Sequence, residues 1–125
     1  SGLDAGKIYQ TWPLMGETYL PNDILFKSLD HLINFNSHSL VQFYHRNLAY
    51  LIILYAFLLS IKIYKDKIKK VYTSLGILVT ILILQTVLGI STLISGLNIY
   101  LASAHQITGV LLVLSAVNLY YFKVK

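Results

Sequence analysis

The sequence predicts an all-α fold, a transmembrane helical bundle in which three spanning helices follow an outer segment. Hydrophobic residues make up 56% of the chain and charged residues only 12%, far from the balance of a soluble domain. The apolar residues form three long runs, at about residues 40–63, 71–95 and 99–122. Each run holds more than about 20 residues, and at about 1.5 Å per residue a helix of that length crosses about 30 Å of hydrocarbon.

Residues 1–39 are predicted to form a segment on the outer side of the membrane, periplasmic or in an intermembrane space. Residues 11–16 read as a loop, because Pro13 and Gly16 punctuate them. Residues 21–23, Pro-Asn-Asp, offer a helix start, and apolar residues follow to position 33 with roughly helical spacing. This pattern fits a short amphipathic helix on the membrane surface or an ordered loop packed on the bundle.

Residues 40–125 are predicted to be the transmembrane part, oriented by its lysines. Five lysines follow the first span within residues 62–70, and Lys123 and Lys125 follow the third. Clustered lysine at these ends is typical of the cytoplasmic or matrix side, so residues 95–98 turn on the outer side. The net charge of +5 therefore reflects topology, and no nucleic-acid partner is expected. The first and third spans then run parallel.

His45 and His105 are the candidate functional residues, because each lies inside an apolar span where histidine is costly. Counted from the outer side, they lie at equal depth on parallel helices. One haem iron held by both imidazoles is the leading interpretation, and the absence of cysteine excludes thioether attachment and iron–sulfur ligation. Zinc is less favoured, since it normally takes four ligands. The alternative is that each histidine only donates a hydrogen bond to a neighbouring helix.

The small residues four positions after each histidine are Ala49 and Gly109. They leave room for a flat macrocycle under each imidazole, or they permit close helix packing. Arg46 is predicted either to bind a haem propionate or to reach the headgroups. Gln85, midway along the second span, either bonds another helix or faces the cofactor edge.

The remaining two histidines, His31 and His38, lie in the polar outer segment. They are predicted to be solvated interface residues without a ligand role.

Several motifs together resemble the C-terminal half of the haem A synthase family, in its alphaproteobacterial and mitochondrial form. They are residues 3–6 (Leu-Asp-Ala-Gly), 9–16 (Tyr-Gln-Thr-Trp-Pro-Leu-Met-Gly), 41–46 (Val-Gln-Phe-Tyr-His-Arg), 85–93 (Gln-Thr-Val-Leu-Gly-Ile-Ser-Thr-Leu) and 105–106 (His-Gln). The resemblance covers essentially the whole chain. The runs at 11–16 and 41–46 are specific to the family, whereas His-Gln alone is a weak signal.

The resemblance implies half of an eight-helix protein built from two four-helix bundles, with His45 and His105 as axial ligands of a haem b. It also implies an oxidoreductase that converts the C8 methyl of haem O to the formyl of haem A, using an electron donor. The membrane would be the bacterial cytoplasmic or the mitochondrial inner membrane. The N-terminal half, with the catalytic glutamate, has no counterpart here, and Glu17 does not take its place. No catalytic residue is therefore assigned, and the chain alone is expected to bind haem without turnover.

Two alternatives remain open at the level of the sequence. One is a stand-alone membrane b-type cytochrome that carries electrons. The other is a structural or assembly subunit without haem, in which the two histidines are merely hydrogen-bonded.

Overall fold

The computed structural model describes residues 8–21 and 37–125, which contain three long helices. They are α1 (His38–Lys65), α2 (Tyr72–Ile94) and α3 (Ile99–Val124), and a 3₁₀ turn (Lys69–Val71) precedes α2. All three helices are long and apolar enough to cross a membrane. The predicted all-α transmembrane fold is therefore confirmed. The amphipathic helix predicted to follow Pro21 and the position of His31 lie outside the described residues.

The lysine-rich connection between α1 and α2 ends α1 with a Schellman arrangement. Lys67 adopts a left-handed backbone with φ 51°, and its amide donates to the Tyr64 carbonyl at 3.2 Å. The Ile68 amide then donates to the Ile63 carbonyl, also at 3.2 Å. These bonds satisfy carbonyls that the helix end would leave without a donor, so the chain reverses within a few residues.

The connection between α2 and α3 is a tight turn that makes these helices an antiparallel hairpin. Gly96 takes φ 71°, a conformation that glycine adopts without strain, and the Leu97 amide donates to the Thr92 carbonyl at 2.9 Å. The Asn98 side chain then accepts from the Tyr100 and Leu101 backbone amides of α3 at 3.0 and 3.4 Å. The turn lies at residues 95–98, where the sequence predicts it, and this end of the bundle is called the outer end below.

The buried apolar core joins α1 to the hairpin on the side nearer the lysine-rich connection. Its members come from all three helices and the 3₁₀ turn: Ala56, Ile63, Val71, Leu75, Leu78, Leu82 and Leu119. Most other bulky apolar side chains are exposed, Leu51 at 61% for example, as expected for helices surrounded by lipid. The core thus lies in the inner half of the bundle, and the polar residues described next lie in the outer half.

Candidate functional site

The histidine pair, His45 and His105, lies at matching depth near the outer end. His45 is seven residues from the first residue of α1, and His105 is six residues from the first residue of α3. At about 1.5 Å per residue, both lie roughly 10 Å along their helices. The equal depth expected from the sequence therefore appears in the helix boundaries themselves.

The two imidazole rings face a common space between α1 and α3. Their centroids are 6.4 Å apart and their planes are inclined by 78°. A metal ion between two imidazoles lies about 2.0 Å from each nitrogen, and each nitrogen lies about 1.1 Å from its ring centroid, which gives about 6.2 Å between centroids. The observed separation is close to this value, and it also lies in the range of an ordinary edge-to-face ring contact.

The His105 ring is hydrogen-bonded to the neighbouring helix through one nitrogen only. Its Nδ1 lies 3.1 Å from the backbone carbonyl oxygen of Gln85 on α2. Because a carbonyl oxygen can only accept, this contact requires the proton on Nδ1 and leaves the lone pair of Nε2 for a ligand. The hydrogen-bonded alternative considered from the sequence is thus present for His105, and it is compatible with ligation.

Gly89 is a residue of this site that sequence reasoning missed. A Cβ atom built at Gly89 would lie 2.9 Å from Cε1 of His105, closer than real contacts allow. Gly89 follows Gln85 by four residues and so shares its face of α2. That spacing, with a glycine inside a span, is the signal that could have found it.

Gly109 lies against Gln85, and Ala49 is half-buried on α1. A Cβ built at Gly109 would lie 3.2 Å from Nε2 of Gln85, so the amide fills the space that the glycine leaves. The Gln85 amide therefore packs against α3 at Gly109, but its Oε1 is buried without a hydrogen-bond partner among the described residues. The hydrogen bond from this amide to another helix stays a prediction. The role of Ala49 and Gly109 beside a macrocycle stays a prediction.

Arg46 is buried beneath the outer loop, residues 8–21. Its Nη1 donates to the Leu14 carbonyl at 3.1 Å and its Nη2 to the Tyr9 carbonyl at 3.2 Å. Gln42, one turn earlier on α1, donates to the same Tyr9 carbonyl at 2.6 Å. Arg46 and Gln42 therefore fasten the loop to the helix that carries His45. The predicted bond from Arg46 to a propionate stays a prediction.

The outer loop has internal hydrogen bonds, and it contacts both α1 and the α2–α3 turn. The Thr11 hydroxyl donates to the Leu14 carbonyl and accepts from the Gly16 amide, both at 2.8 Å. Gln10 lies beside Gly96 in the α2–α3 turn, where a Cβ would be 3.6 Å from its Oε1. The loop thus spans from α1 to the hairpin over the outer end.

An open apolar groove of about 350 Å³ lies between α1 and α2, nearer the inner side than His45, and neither histidine lines it. Residues from Ile53 to Ser60 on α1 and from Val79 to Val87 on α2 line it. Its lining suits an apolar group in the membrane and gives a charged substrate no partner.

Other candidate ligands do not join the pair. Among residues 8–21 and 37–125, no cluster of three or more His, Cys, Asp or Glu side chains is arranged to hold a metal ion. His38 is exposed at the start of α1, and Glu17 is exposed in the outer loop.

The fold and this site define a multi-pass α-helical membrane protein with two facing imidazoles between parallel helices. Residues 1–117 match the model of the cytochrome oxidase assembly protein family, and the chain belongs to that family. No solved structure gives a significant match to the chain.

The relatives found by sequence are named haem A synthase. The chain is 42% identical to that of Pelagibacter ubique over 98% of its own length and 36% of the relative. It is 39% identical to that of the Wolbachia of Brugia malayi over 85% of its length, and 34% identical to that of Rickettsia africae over 100%. In each case the match covers about a third of the relative, 30% to 36%. The resemblance identified from the sequence motifs is thus confirmed.

Proposed function

We propose that the chain is the haem b-binding C-terminal half of a haem A synthase, with His45 and His105 as the axial ligands of one iron. The observation that carries the proposal is the pair of imidazoles at equal depth with centroids 6.4 Å apart. The contact between Nδ1 of His105 and the Gln85 carbonyl supports the proposal. Histidines that bind a metal almost always donate their other N–H to a carbonyl or carboxylate. The names of the relatives support the assignment to haem A synthesis.

The chain's own residues would perform binding, orientation and exclusion of water. His45 and His105 would hold the group, and Gln85 would orient the His105 imidazole through its carbonyl. Arg46 and Gln42 would keep the outer loop over the site, which limits access from the aqueous side. A bound haem b supplies one-electron redox chemistry, which the protein tunes through axial ligands, hydrogen bonds and burial.

The reaction proposed for the complete protein is the oxidation of the C8 methyl of haem O to the formyl group of haem A by successive hydroxylations. An N-terminal half with the substrate site and an electron donor would complete it. The membrane would be the bacterial cytoplasmic or the mitochondrial inner membrane. Within the described residues the only acidic groups are Glu17 and Asp66, both exposed and in connections outside the histidine site, so no catalytic acid is proposed in this part of the chain.

The haem-binding part of the proposal is tested on the chain purified in detergent. A reduced-minus-oxidised spectrum and a pyridine haemochrome assay are expected to give one low-spin haem b per chain. The matched control is His38→Ala, which removes an exposed histidine on the same helix and leaves the spectrum unchanged. A purified chain that takes up no haem would overturn the haem-binding proposal and favour the structural alternative.

The synthase part of the proposal is tested in a chimera. The chain replaces the matching third of the Pelagibacter ubique relative in a bacterial strain that lacks its own haem A synthase, and haem A is quantified after extraction. Haem A is expected with the chimera and absent when either histidine of the pair is changed to alanine. A chimera with full haem b and no haem A, beside an active parent, would favour the b-type cytochrome alternative.

A further inference from the structure

The His105 ring lies directly against Gly89 on α2. A Cβ there would be 2.9 Å from Cε1, 3.4 Å from Nδ1 and 3.6 Å from Nε2 of His105. Relief of this contact requires rotation of the whole His105 ring about χ1 or χ2, which also moves Nδ1. Gly76, on the same helix, offers a contrast, since a Cβ at that position would meet nothing within 4 Å.

The close approach at Gly89 brings Nδ1 of His105 to the Gln85 carbonyl. That oxygen lies one turn before Gly89, and Nδ1 lies 3.1 Å from it. A Cβ at position 89 would be too close to the ring in this pose, so the ring or the helix would have to shift. The hydrogen bond to the carbonyl therefore depends on the absence of a side chain four residues later.

The same stretch of α2 is braced from the other side by Gln85 itself. Its Nε2 would lie 3.2 Å from a Cβ at Gly109, one turn after His105 on α3. Two glycines, one on each helix of the hairpin, thus accommodate a side chain from the partner helix. The turn at residues 95–98 joins these helices directly, so its short length limits how far one helix can slide along the other.

We propose that Gly89 is a positioning residue that selects the Nδ1-protonated form of His105 and presents its Nε2 as the ligating nitrogen. This inference rests on the proposed haem-binding function for its final consequence. A hydrogen bond from the second ring nitrogen fixes the orientation of a ligating imidazole and raises its basicity. Position 89 therefore affects two properties, the strength with which His105 binds the iron and the reduction potential of the haem.

The test compares Gly89→Ala with Gly76→Ala in the purified full chain. In the haem-free protein, ¹⁵N NMR of labelled histidine rings reports which nitrogen of His105 is protonated, and a His105→Ala sample assigns the signal. The wild type and Gly76→Ala are expected to show protonated Nδ1. Gly89→Ala is expected to lose this preference. A wild-type His105 protonated on Nε2 would overturn the proposal, even where Gly89→Ala does not fold.

The haem-loaded protein provides the second measurement. Gly89→Ala is expected to weaken haem affinity by about 10- to 100-fold, the usual effect of losing a partner of a metal-binding histidine. The haem that remains is expected to show a more positive reduction potential, while Gly76→Ala matches the wild type in both. Equal affinity and potential in the two variants would overturn the inference and leave the haem site standing. If the wild type does not bind haem, the proposed function is wrong. The NMR comparison then tests only whether Gly89 selects the Nδ1-protonated form of His105.

Discussion

Replacing Arg46 by leucine is expected to release the outer loop from α1. Arg46 is only 9% exposed, and its guanidinium donates to the Leu14 and Tyr9 carbonyls at 3.1 and 3.2 Å. Leucine keeps much of the buried volume and removes both donors. The change therefore isolates the contribution of two charge-assisted hydrogen bonds to the closed position of the loop.

The effect of Arg46→Leu on loop opening depends on which hydrogen bonds the two carbonyls retain. After the change, the Tyr9 carbonyl still accepts from Gln42 at 2.6 Å, and the Leu14 carbonyl still accepts from Thr11 at 2.8 Å. Neither oxygen is left without a donor, so each bond is taken at about 1–2 kcal/mol, between a neutral bond and a bond to a charged group, which gives about 2–4 kcal/mol for the two together. At about 1.4 kcal/mol per factor of ten, loop opening rises about 30- to 700-fold. Gln42→Ala removes one neutral bond, about 0.5–1.5 kcal/mol, and gives about 2- to 12-fold.

Hydrogen–deuterium exchange of residues 8–21 measures this opening. The Met15 and Gly16 amides are the reporters, because they are bonded within the loop to the Thr18 carbonyl and the Thr11 hydroxyl at 2.8 Å each. Residues 79–87 of α2 serve as the internal reference and are expected to exchange as in the wild type. Loop exchange that stays within about threefold of the wild type in Arg46→Leu would refute the role assigned to Arg46.

The remaining predictions concern the histidine pair, the space around it and the orientation in the membrane. Alanine in place of either histidine of the pair is expected to abolish the low-spin haem spectrum, and a bis-imidazole signal that survives the change would contradict the ligand assignment. Gly109→Leu and Ala49→Leu are expected to lower haem occupancy without loss of membrane insertion, because leucine is favourable in lipid but fills space beside the pair; full haem content in both would leave these residues a packing role only. Lys67→Cys introduces a single thiol into this cysteine-free chain, and we expect that impermeant reagents added from the outer side do not label it. Labelling of this thiol from the outer side would contradict the predicted orientation of the helices.

The helices could be predicted from the sequence because the length of an apolar run is a one-dimensional property. The first run was expected at about 40–63 and the helix is His38–Lys65, while the third was expected at about 99–122 and the helix is Ile99–Val124. The same reasoning placed the histidines at equal depth, since depth follows from the count of residues along each helix.

The contacts around the histidines could not be predicted in the same way, because their partners are backbone carbonyls. The carbonyls of Gln85 and Tyr9 leave no trace in residue type, so nothing in the sequence connects them to His105 or Arg46. Helix rotation explains the outcome for Arg46. A residue next to His45 points about 100° away from it, and in the structure that direction faces the outer loop.

The spacing of the two imidazoles depends on two separate supports for α1. On the inner side, Ala56 and Ile63 belong to the apolar core that α1 shares with the hairpin. On the outer side, Gln42 and Arg46 flank His45 and bind the loop that reaches Gly96 in the α2–α3 turn. His105 needs no such support, because α2 holds its ring directly. The loop therefore acts on the site through the position of His45, although none of the loop contacts described here involves either imidazole.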